Sequence, residues 1–484
     1  MSKTYSVTIR DRKNKKGSRR KRSNQKGSKK ILLLFFFILI CLGAGGYFLY
    51  NYAVNCVGDS CNPILGSLAA TIEPKLEQDN GMTNILLAGI DTRGENSGLM
   101  NTDTIIILTV DYENETTMMT SIPRDLWVKY SLPNGNTTGT KINGAYANGE
   151  WQQEGKGMET LQNAVETIIG EPIHYSVKVT LAGFIEMVDA IGGVDIEIPE
   201  YYKDAYPASE LPPEYQQDCI PFYHGGKYCL FEFFEGSEHM DGQRALIYAR
   251  SRLLSQRGDF DRAIRQQRVI DSIKEKILSS ETYLNPQKIW DIYTIIKENV
   301  DTSTFNINDI RAGINLKDTV DVDEIGHVVL DPYLGNAMGK YIHRPVDNPA
   351  RGYYIIAYDQ TYSDIQELLR NIRKYPAIYN EATSISIYNA TSVTKLERDW
   401  ASEIEEDHSL FNIIQTNKVI QNTNNQYSGI VIYKFTEDEK PASEEYLKEF
   451  FNVNELTTEV PTGLKNFHGE DYVIVLGTEI VSSQ

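Results

Sequence analysis

The stretch ALIYARSRLLSQRGDFDRAIRQQRVIDSIKEKIL, residues 245–278, holds six arginines between Arg250 and Arg268 and no lysine in that interval. Arginine carries a planar fork of donors that grips phosphate oxygens in pairs, which a lysine ammonium does not do. The second half reads as a helix whose inward stripe is Val269, Ile270, Ile273 and Ile277. Followed back at about 3.6 residues per turn, the same stripe carries Arg262 and Gln266. A helix that points an arginine and a glutamine where its later turns point isoleucines lines a polar pocket or feeds a buried ion pair. Asp259 and Asp261 are the partners for structural pairing. A pyrophosphate-binding pocket is the sharper reading, and the rest of the chain favours it.

Upstream, three β-branched runs arrive in succession. NILLAGID (84–91) runs into Asp91, TDTIIILTVD (102–111) opens on an acid at Asp103, and TTMMTSIPRDLWV ends its strand at Pro123, Arg124 and Asp125. Asp91, Asp103 and Arg124 therefore fall near strand ends, where open α/β sheets place their ligands. KINGAYANGE (141–150) follows with Lys141, and Met158, Leu161, Val165, Ile168 and Ile169 repeat at helical spacing up to Gly170. HYSVKVT is a strand, LAGFIEMVDAIGG a helix, and VDIEIP (194–199) alternates as a half-buried strand. A Pro- and Tyr-rich insertion runs to about residue 232. Helices are expected near 287–298 and 362–374, with a strand at His327–Leu330 between them. KYPAIYNEATS reads as a linker. The chain beyond it alternates strand and helix, as a small separate α/β domain would.

The N-terminus is of a different kind. Residues 1–30 hold 13 Lys or Arg and one acid, Asp11, so the overall formal charge of −18 leaves about −30 on everything after them. Residues 31–50, ILLLFFFILICLGAGGYFLY, are 20 residues without a charge, long enough to cross a bilayer. Basic residues on one side only predict a single-pass protein with a cytoplasmic tail and an exported remainder. No nucleic acid partner is expected of so short a tail. Cys41 lies in the span, and Cys56 with Cys61 and Cys219 with Cys229 are spaced as two local disulfides of an exported chain. They lack the CxxC spacing of a zinc site.

Two strand-end carboxylates, Asp91 and Asp103, suit one Mg²⁺, which prefers oxygen ligands and bridges substrate phosphates. Arginines around it would neutralise a pyrophosphate and stabilise charge on a leaving phosphate. The sequence carries no Walker-type loop and no evident Ser-His-Asp or Cys-His set. A catalytic domain outside the cell has no ready ATP, so an activated, lipid-linked pyrophosphate is an economical donor.

These residues resemble the LytR-CpsA-Psr (LCP) proteins of bacterial cell envelopes. The resemblance rests on NILLAGIDTR, DTIIILTVD, SIPRDLWV, KINGAYANG, LAGFIEMVDAIGGVDIEIP, GSEHMDGQRALIYARSR and RGDFDRAIRQQRVI, in order over roughly residues 84–278. It implies a mixed central β-sheet flanked by helices that binds a polyprenyl pyrophosphate. The implied activity is transfer of a phosphoglycopolymer, such as teichoic acid or capsule, from that carrier to peptidoglycan at the outer face of the bacterial cell membrane. By motif, Asp91 and Asp103 match the Mg²⁺-associated acids. Arg124, Arg250, Arg252, Arg262 and Gln266 match the pyrophosphate-binding groups, and so do Arg93 and Lys141. Asn101 stands where the family commonly carries an arginine. The last hundred residues are similar to a C-terminal domain often attached to these proteins. The expected organisation is a basic tail (1–30), a transmembrane helix (31–52), a stalk (53–80), the LCP-like domain (81–375), a linker (376–384) and the C-terminal domain (385–484). Two other readings stand beside the transferase: a Mg²⁺-dependent lipid pyrophosphatase using the same pocket, and a non-catalytic wall-binding or regulatory protein of the same fold.

Overall fold

The computed structural model describes residues 75–478 apart from 92–99, 217–218, 222–225, 279–299, 302–319, 321–324, 333–340, 346–352, 407–409, 421–426, 462–463 and 465–468. The basic tail, the apolar run 31–52, most of the stalk, the Cys56/Cys61 pair, Arg93 and the helix expected near 287–298 lie outside the described residues. Among the described residues no helix is long and apolar enough to cross a membrane.

In chain order the strands β1 (Met82–Asp91), β2 (Asn101–Asp111) and β3 (Thr116–Ser121) come first. A hairpin of β4 (Trp127–Ser131) and β5 (Thr137–Lys141) leads to helices α1 (Ala145–Gln152) and α2 (Gly157–Ile169). Then follow β6 (Tyr175–Thr180), α3 (Leu181–Ala190) and β7 (Val194–Ile198). The insertion folds as a small sheet of β8 (Tyr202–Pro207), β9 (Ile220–Pro221) and β10 (Lys227–Phe233), and a disulfide joins Cys219 to Cys229 as their spacing predicts. β11 (Gly236–Met240) pairs with β7 and leads into α4 (Gly242–Arg250) and α5 (Asp259–Leu278). Short strands β12 (Val300–Asp301), β13 (Ile325–Val329), β14 (Ile342–His343) and β15 (Ile356–Ala357) precede α6 (Ser363–Lys374) and α7 (Pro376–Asn380). A second sheet is built from β16 (Ser384–Asn389), β17 (Asn412–Val419), β18 (Ile430–Lys434) and β19 (Tyr472–Leu476), with helices α8 (Leu396–Glu406) and α9 (Pro441–Phe450) between its strands.

The central sheet has the order β12-β6-β1-β2-β3-β13 and is mixed: β6 runs parallel to β1 and β13 to β3, while the other neighbours are antiparallel. Its middle strands are nearly continuous apolar runs because both faces are covered. Leu86, Ala88, Ile90, Ile105 and Ile107 pack with Leu161, Ala164, Val165 and Ile168 of α2 in one core cluster. Ile85, Leu108, Val110 and Val177 pack on the other side with Met187 and Val188 of α3, Ala245 and Ile247 of α4, and Val269 and Ile273 of α5. Each fully buried Leu, Ile, Val or Met side chain among them is worth about 1.5–3 kcal/mol of transfer from water. The result is helices on both faces of a mixed sheet, as expected.

The helix ends explain their own positions. α2 stops at Gly170, whose φ of 72° is the left-handed conformation that glycine adopts without a Cβ penalty. Thr180 and Asp241 cap α3 and α4, accepting hydrogen bonds from the N–H groups of Gly183 and Arg244. One reading changes in detail: within the stretch taken as a linker, residues 376–380 form α7. Pro376 sits in its first turn, where a missing N–H costs nothing, and Pro376 and Ile378 are buried.

Candidate functional site

A cavity of about 270 Å³ opens at the end of β1 and the start of β2. Six of the expected residues line it: Asp91, Asp103, Arg250, Arg252, Arg262 and Gln266. Asp91 ends β1 and is nearly buried. Asp103 reaches the cavity by a different device. In the β1/β2 ladder Gly89 faces Thr104 and Ile90 faces Thr102, so Asp103 is an extra residue without a partner. Such a bulge breaks the strict alternation of a strand and re-aims a side chain. Here two consecutive residues, Asp103 and Thr104, both line the cavity. Gly89 permits the arrangement: a Cβ there would lie 2.9 Å from Cβ of Thr104. Gln266 then donates to Thr104 Oγ1 at 2.9 Å.

The arginines are held by carboxylates. Asp259, at the start of α5, is the hub: Arg262 Nη1 lies at 2.9 Å, Arg252 Nη1 at 3.0 Å and Arg124 Nε at 3.1 Å from its oxygens. Arg124 also reaches Asp103 Oδ1 at 2.9 Å, and Arg262 donates to the Asp103 carbonyl at 3.2 Å. Burial opposes charge on Asp259, but Arg262, Arg124 and Arg252 together outweigh it and hold the carboxyl below the usual range. Burial pushes the Arg262 guanidinium down to about 10, against the pull of Asp259, which leaves it charged at neutral pH. The Arg124 guanidinium is raised: burial opposes this, but Asp103, Asp259 and Asp125 prevail. Arg262 is thus engaged on two sides. It is paired with Asp259, and it lines the cavity.

The remaining expected residues are placed less directly. Arg124 sits beside the cavity, joined to it through Asp103 and Asp259. Lys141 ends β5 and bonds Asp125 Oδ1 at 2.7 Å, and Asp125 Oδ2 lies 3.6 Å from Arg124 Nε. It is thus two partners removed from Asp103 and is not among the lining residues. Asn101 pairs across the ladder with Asp91.

The insertion supplies residues that sequence reasoning did not single out. Arg250 donates to the Tyr206 hydroxyl, and its Nη2 lies 3.2 Å from Glu210 and 3.6 Å from Asp91. Tyr206, Glu210 and Tyr228 all line the cavity. No spacing signal distinguishes them in a segment rich in Tyr and Pro.

A second cavity of about 150 Å³ adjoins the first and shares Gly89, Thr104, Leu181, Arg250 and Gln266 with it. Apart from Thr180 its other walls are apolar, with Ile106, Val177, Phe184, Met187, Val269 and Ile273 among them. A void that is ionic at one end and apolar at the other suits an amphiphile with an anionic head. Asp91 and Asp103 offer hard carboxylate oxygens to one space. No group of three or more His, Cys, Asp or Glu is gathered for a metal among the described residues. A divalent ion held by these two acids would complete its shell from phosphates and water, the habit of Mg²⁺.

The chain is 30% identical over 306 residues to a polyisoprenyl-teichoic acid–peptidoglycan teichoic acid transferase, TagV, of Bacillus subtilis, covering 62% of this chain and 70% of that one. It is 31% identical over 280 residues to TagU of the same organism, a transferase described in the same words, covering 57% and 78%. Among solved structures, the crystal structure of B. subtilis TagV superposes with a TM-score of 0.44 at 24% identity, covering 60% of this chain and 97% of that one. The LytR_cpsA_psr family pattern matches residues 62–338, and this chain is a member of that family.

Proposed function

We propose that this protein is a membrane-anchored phosphotransferase of the cell surface. It moves a phosphoglycopolymer from a polyprenyl-pyrophosphate carrier to peptidoglycan. The observation that carries the reading is the joined pair of cavities: arginines and carboxylates around one, aliphatic and aromatic side chains around the other. The apolar cavity suits the first isoprene units and the polar one the pyrophosphate. The two relatives named as teichoic acid transferases support the same reading, and the apolar run 31–50 supports the anchor. In this reading residues 81–375 form the catalytic domain, and the second sheet belongs to a C-terminal module that binds or positions.

Asp91 and Asp103 would hold Mg²⁺, whose charge would neutralise pyrophosphate oxygens. The chain's own groups do the rest. Arg250, Arg252 and Arg262 grip non-bridging oxygens through paired N–H groups. A hydroxyl oxygen of the acceptor displaces polyprenyl phosphate from the sugar-bearing phosphorus, and the hydroxyl proton goes to the departing phosphate. The bridging P–O bond breaks, and the arginines stabilise the charge gathering on the leaving phosphate. Arg124 and Asp259 fix the guanidinium array before substrate arrives, so little reorganisation is left for the reaction itself. Gln266 keeps Thr104 in place.

The test uses the full chain in detergent with a polyprenyl-pyrophosphate sugar donor and peptidoglycan fragments. Sugar-phosphate transfer that needs Mg²⁺ and disappears in Asp103→Ala is the expected result. Phosphate release without transfer would replace the transferase by a lipid pyrophosphatase. Neither turnover nor donor binding would overturn both and leave wall binding to be measured.

A further inference from the structure

Arg252 enters the cavity from a stretch, residues 251–258, that is neither helix nor strand. A guanidinium on irregular backbone is positioned only as well as that backbone is, so the question is what grips residues 251–254. Two buried charged side chains do, and neither lines the cavity. Asp204 of β8 is only 2% exposed, and its Oδ1 accepts hydrogen bonds from Leu254 N at 2.9 Å and Ala205 N at 2.7 Å. Arg265 of α5, 6% exposed, donates from Nη2 to the Ser251 carbonyl and lays its guanidinium over the Tyr202 ring, 4.9 Å from the centroid. The residue before Arg252 and the second residue after it are therefore tied down by different elements.

The residue types follow from the groups they serve. A backbone N–H needs an acceptor, and an ionised carboxylate only accepts; a carbonyl needs a donor, and a guanidinium only donates. The arrangement is costly, since Asp204 Oδ2 and Arg265 Nε are buried without hydrogen-bond partners. An apolar pair would fill the same space at lower cost but could hold neither end of the segment.

We infer that Asp204 and Arg265 are positioning residues, which clamp the Ser251–Leu254 backbone from behind and thereby aim Arg252 into the cavity. Arg250, at the end of α4 immediately before Ser251, is steadied by the same contacts. The inference deepens the proposed function and rests on it for the identity of the ligand. The clamp itself is read independently below.

The experiment measures binding of geranylgeranyl pyrophosphate to the full chain in detergent by calorimetry, with Mg²⁺ present. It is paired with hydrogen exchange at residues 251–256. Asp204→Leu removes the acceptor and should weaken binding about ten-fold, the loss expected for a hydrogen bond to a charged group. Asp204→Asn keeps an acceptor oxygen and should stay within about three-fold of the parent. In an Arg252→Ala background Asp204→Leu should add little, because a residue acting through Arg252 has nothing left to act on. Arg265→Met should repeat the pattern if Asp204→Leu does not fold. Parental affinity in both variants, or losses that simply add to that of Arg252→Ala, would overturn the inference. If the parent chain fails to bind the probe, the lipid-pyrophosphate reading is what fails. Exchange then decides the clamp: faster exchange at Leu254 in Asp204→Leu upholds it, and unchanged exchange rejects it.

Discussion

Replacing the hub carboxylate by its amide, Asp259→Asn, keeps shape and removes charge. Asp259 meets three guanidiniums at 2.9, 3.0 and 3.1 Å. At an effective dielectric constant of about 20, each contact represents about 5 kcal/mol of gross attraction. Repulsion among the arginines and desolvation offset most of that, and breaking a buried pair in practice costs about 3–5 kcal/mol. Asp259 keeps 23% of its side-chain surface in solvent, which places the loss near the lower end, about 3 kcal/mol. For a domain of this size the melting point should fall by roughly 5–10 °C. The pH dependence follows from the depressed carboxyl. Its contribution is present above the ordinary carboxylate value of 3.8 and is lost as pH falls through the lower folded value, so the gap between parent and variant is widest near neutrality and closes below about pH 4. Inorganic pyrophosphate should raise the melting point of the variant less than that of the parent, because the guanidiniums are no longer held in place before the anion arrives. Thermal denaturation at several pH values, with and without pyrophosphate, reads all three. Equal melting points without ligand, or a larger pyrophosphate shift in the variant, would refute the hub.

Three further predictions concern other parts of the molecule. Gly89→Ala puts a methyl group 2.9 Å from Thr104 Cβ; it should cost about 1–3 kcal/mol of stability, as overpacking does, and break the Thr104–Gln266 bond, read as lost pyrophosphate binding by calorimetry. Cys219→Ser opens a disulfide with a sequence separation of 10; loop entropy puts the loss at about 3 kcal/mol, seen as faster hydrogen exchange in β8 and β10, which also position Tyr206 beside Arg250. Arg373 is buried and donates to both oxygens of Glu171, at 2.6 and 2.7 Å. Arg373→Ala should destabilise the fold by about 3–5 kcal/mol in denaturant titration while leaving pyrophosphate affinity unchanged in the folded fraction.

Much of this site is legible in the sequence because its chemistry conflicts with its pattern. Arg262 and Gln266 stand out only because Val269 and Ile273 continue their stripe as core residues. β1, β2 and β3 are legible because both faces of each are covered, which forces uninterrupted apolar runs. Asp91 and Asp103 are visible as the charges that end or open those runs. What is not legible depends on register or on long-range pairing. Nothing in NTDT states that Asp103 is the unpaired residue, since a bulge is a relation between two strands and one strand's sequence carries no trace of it. Tyr206 and Glu210 are two aromatic or acidic residues among several in the insertion, and only its folding, with Tyr206 in the β8/β10 ladder, sets them beside Arg250. Asp259 was read as a possible partner of Arg262. That it also serves Arg124 and Arg252 depends on loops whose course local propensity does not encode. The segment of α7 reads as a linker, although proline is compatible with the first turn of a helix.

The unpaired Asp103 makes the length of β2, counted in single residues, a functional quantity. Thr102 is fully buried, whereas Asp103 and Thr104 both face the cavity and Ile105 is buried again. The strand thus runs in one phase before the bulge and in the opposite phase after it. Deleting any one residue of Thr102–Thr104 would restore simple alternation, and one cavity-facing side chain would be lost or turned into the sheet's interior. A deletion there therefore changes the phase of the strand as well as the lining of the cavity, whereas a substitution at the same positions leaves the phase alone. Chains that gain or lose residues elsewhere around the cavity must leave that count alone.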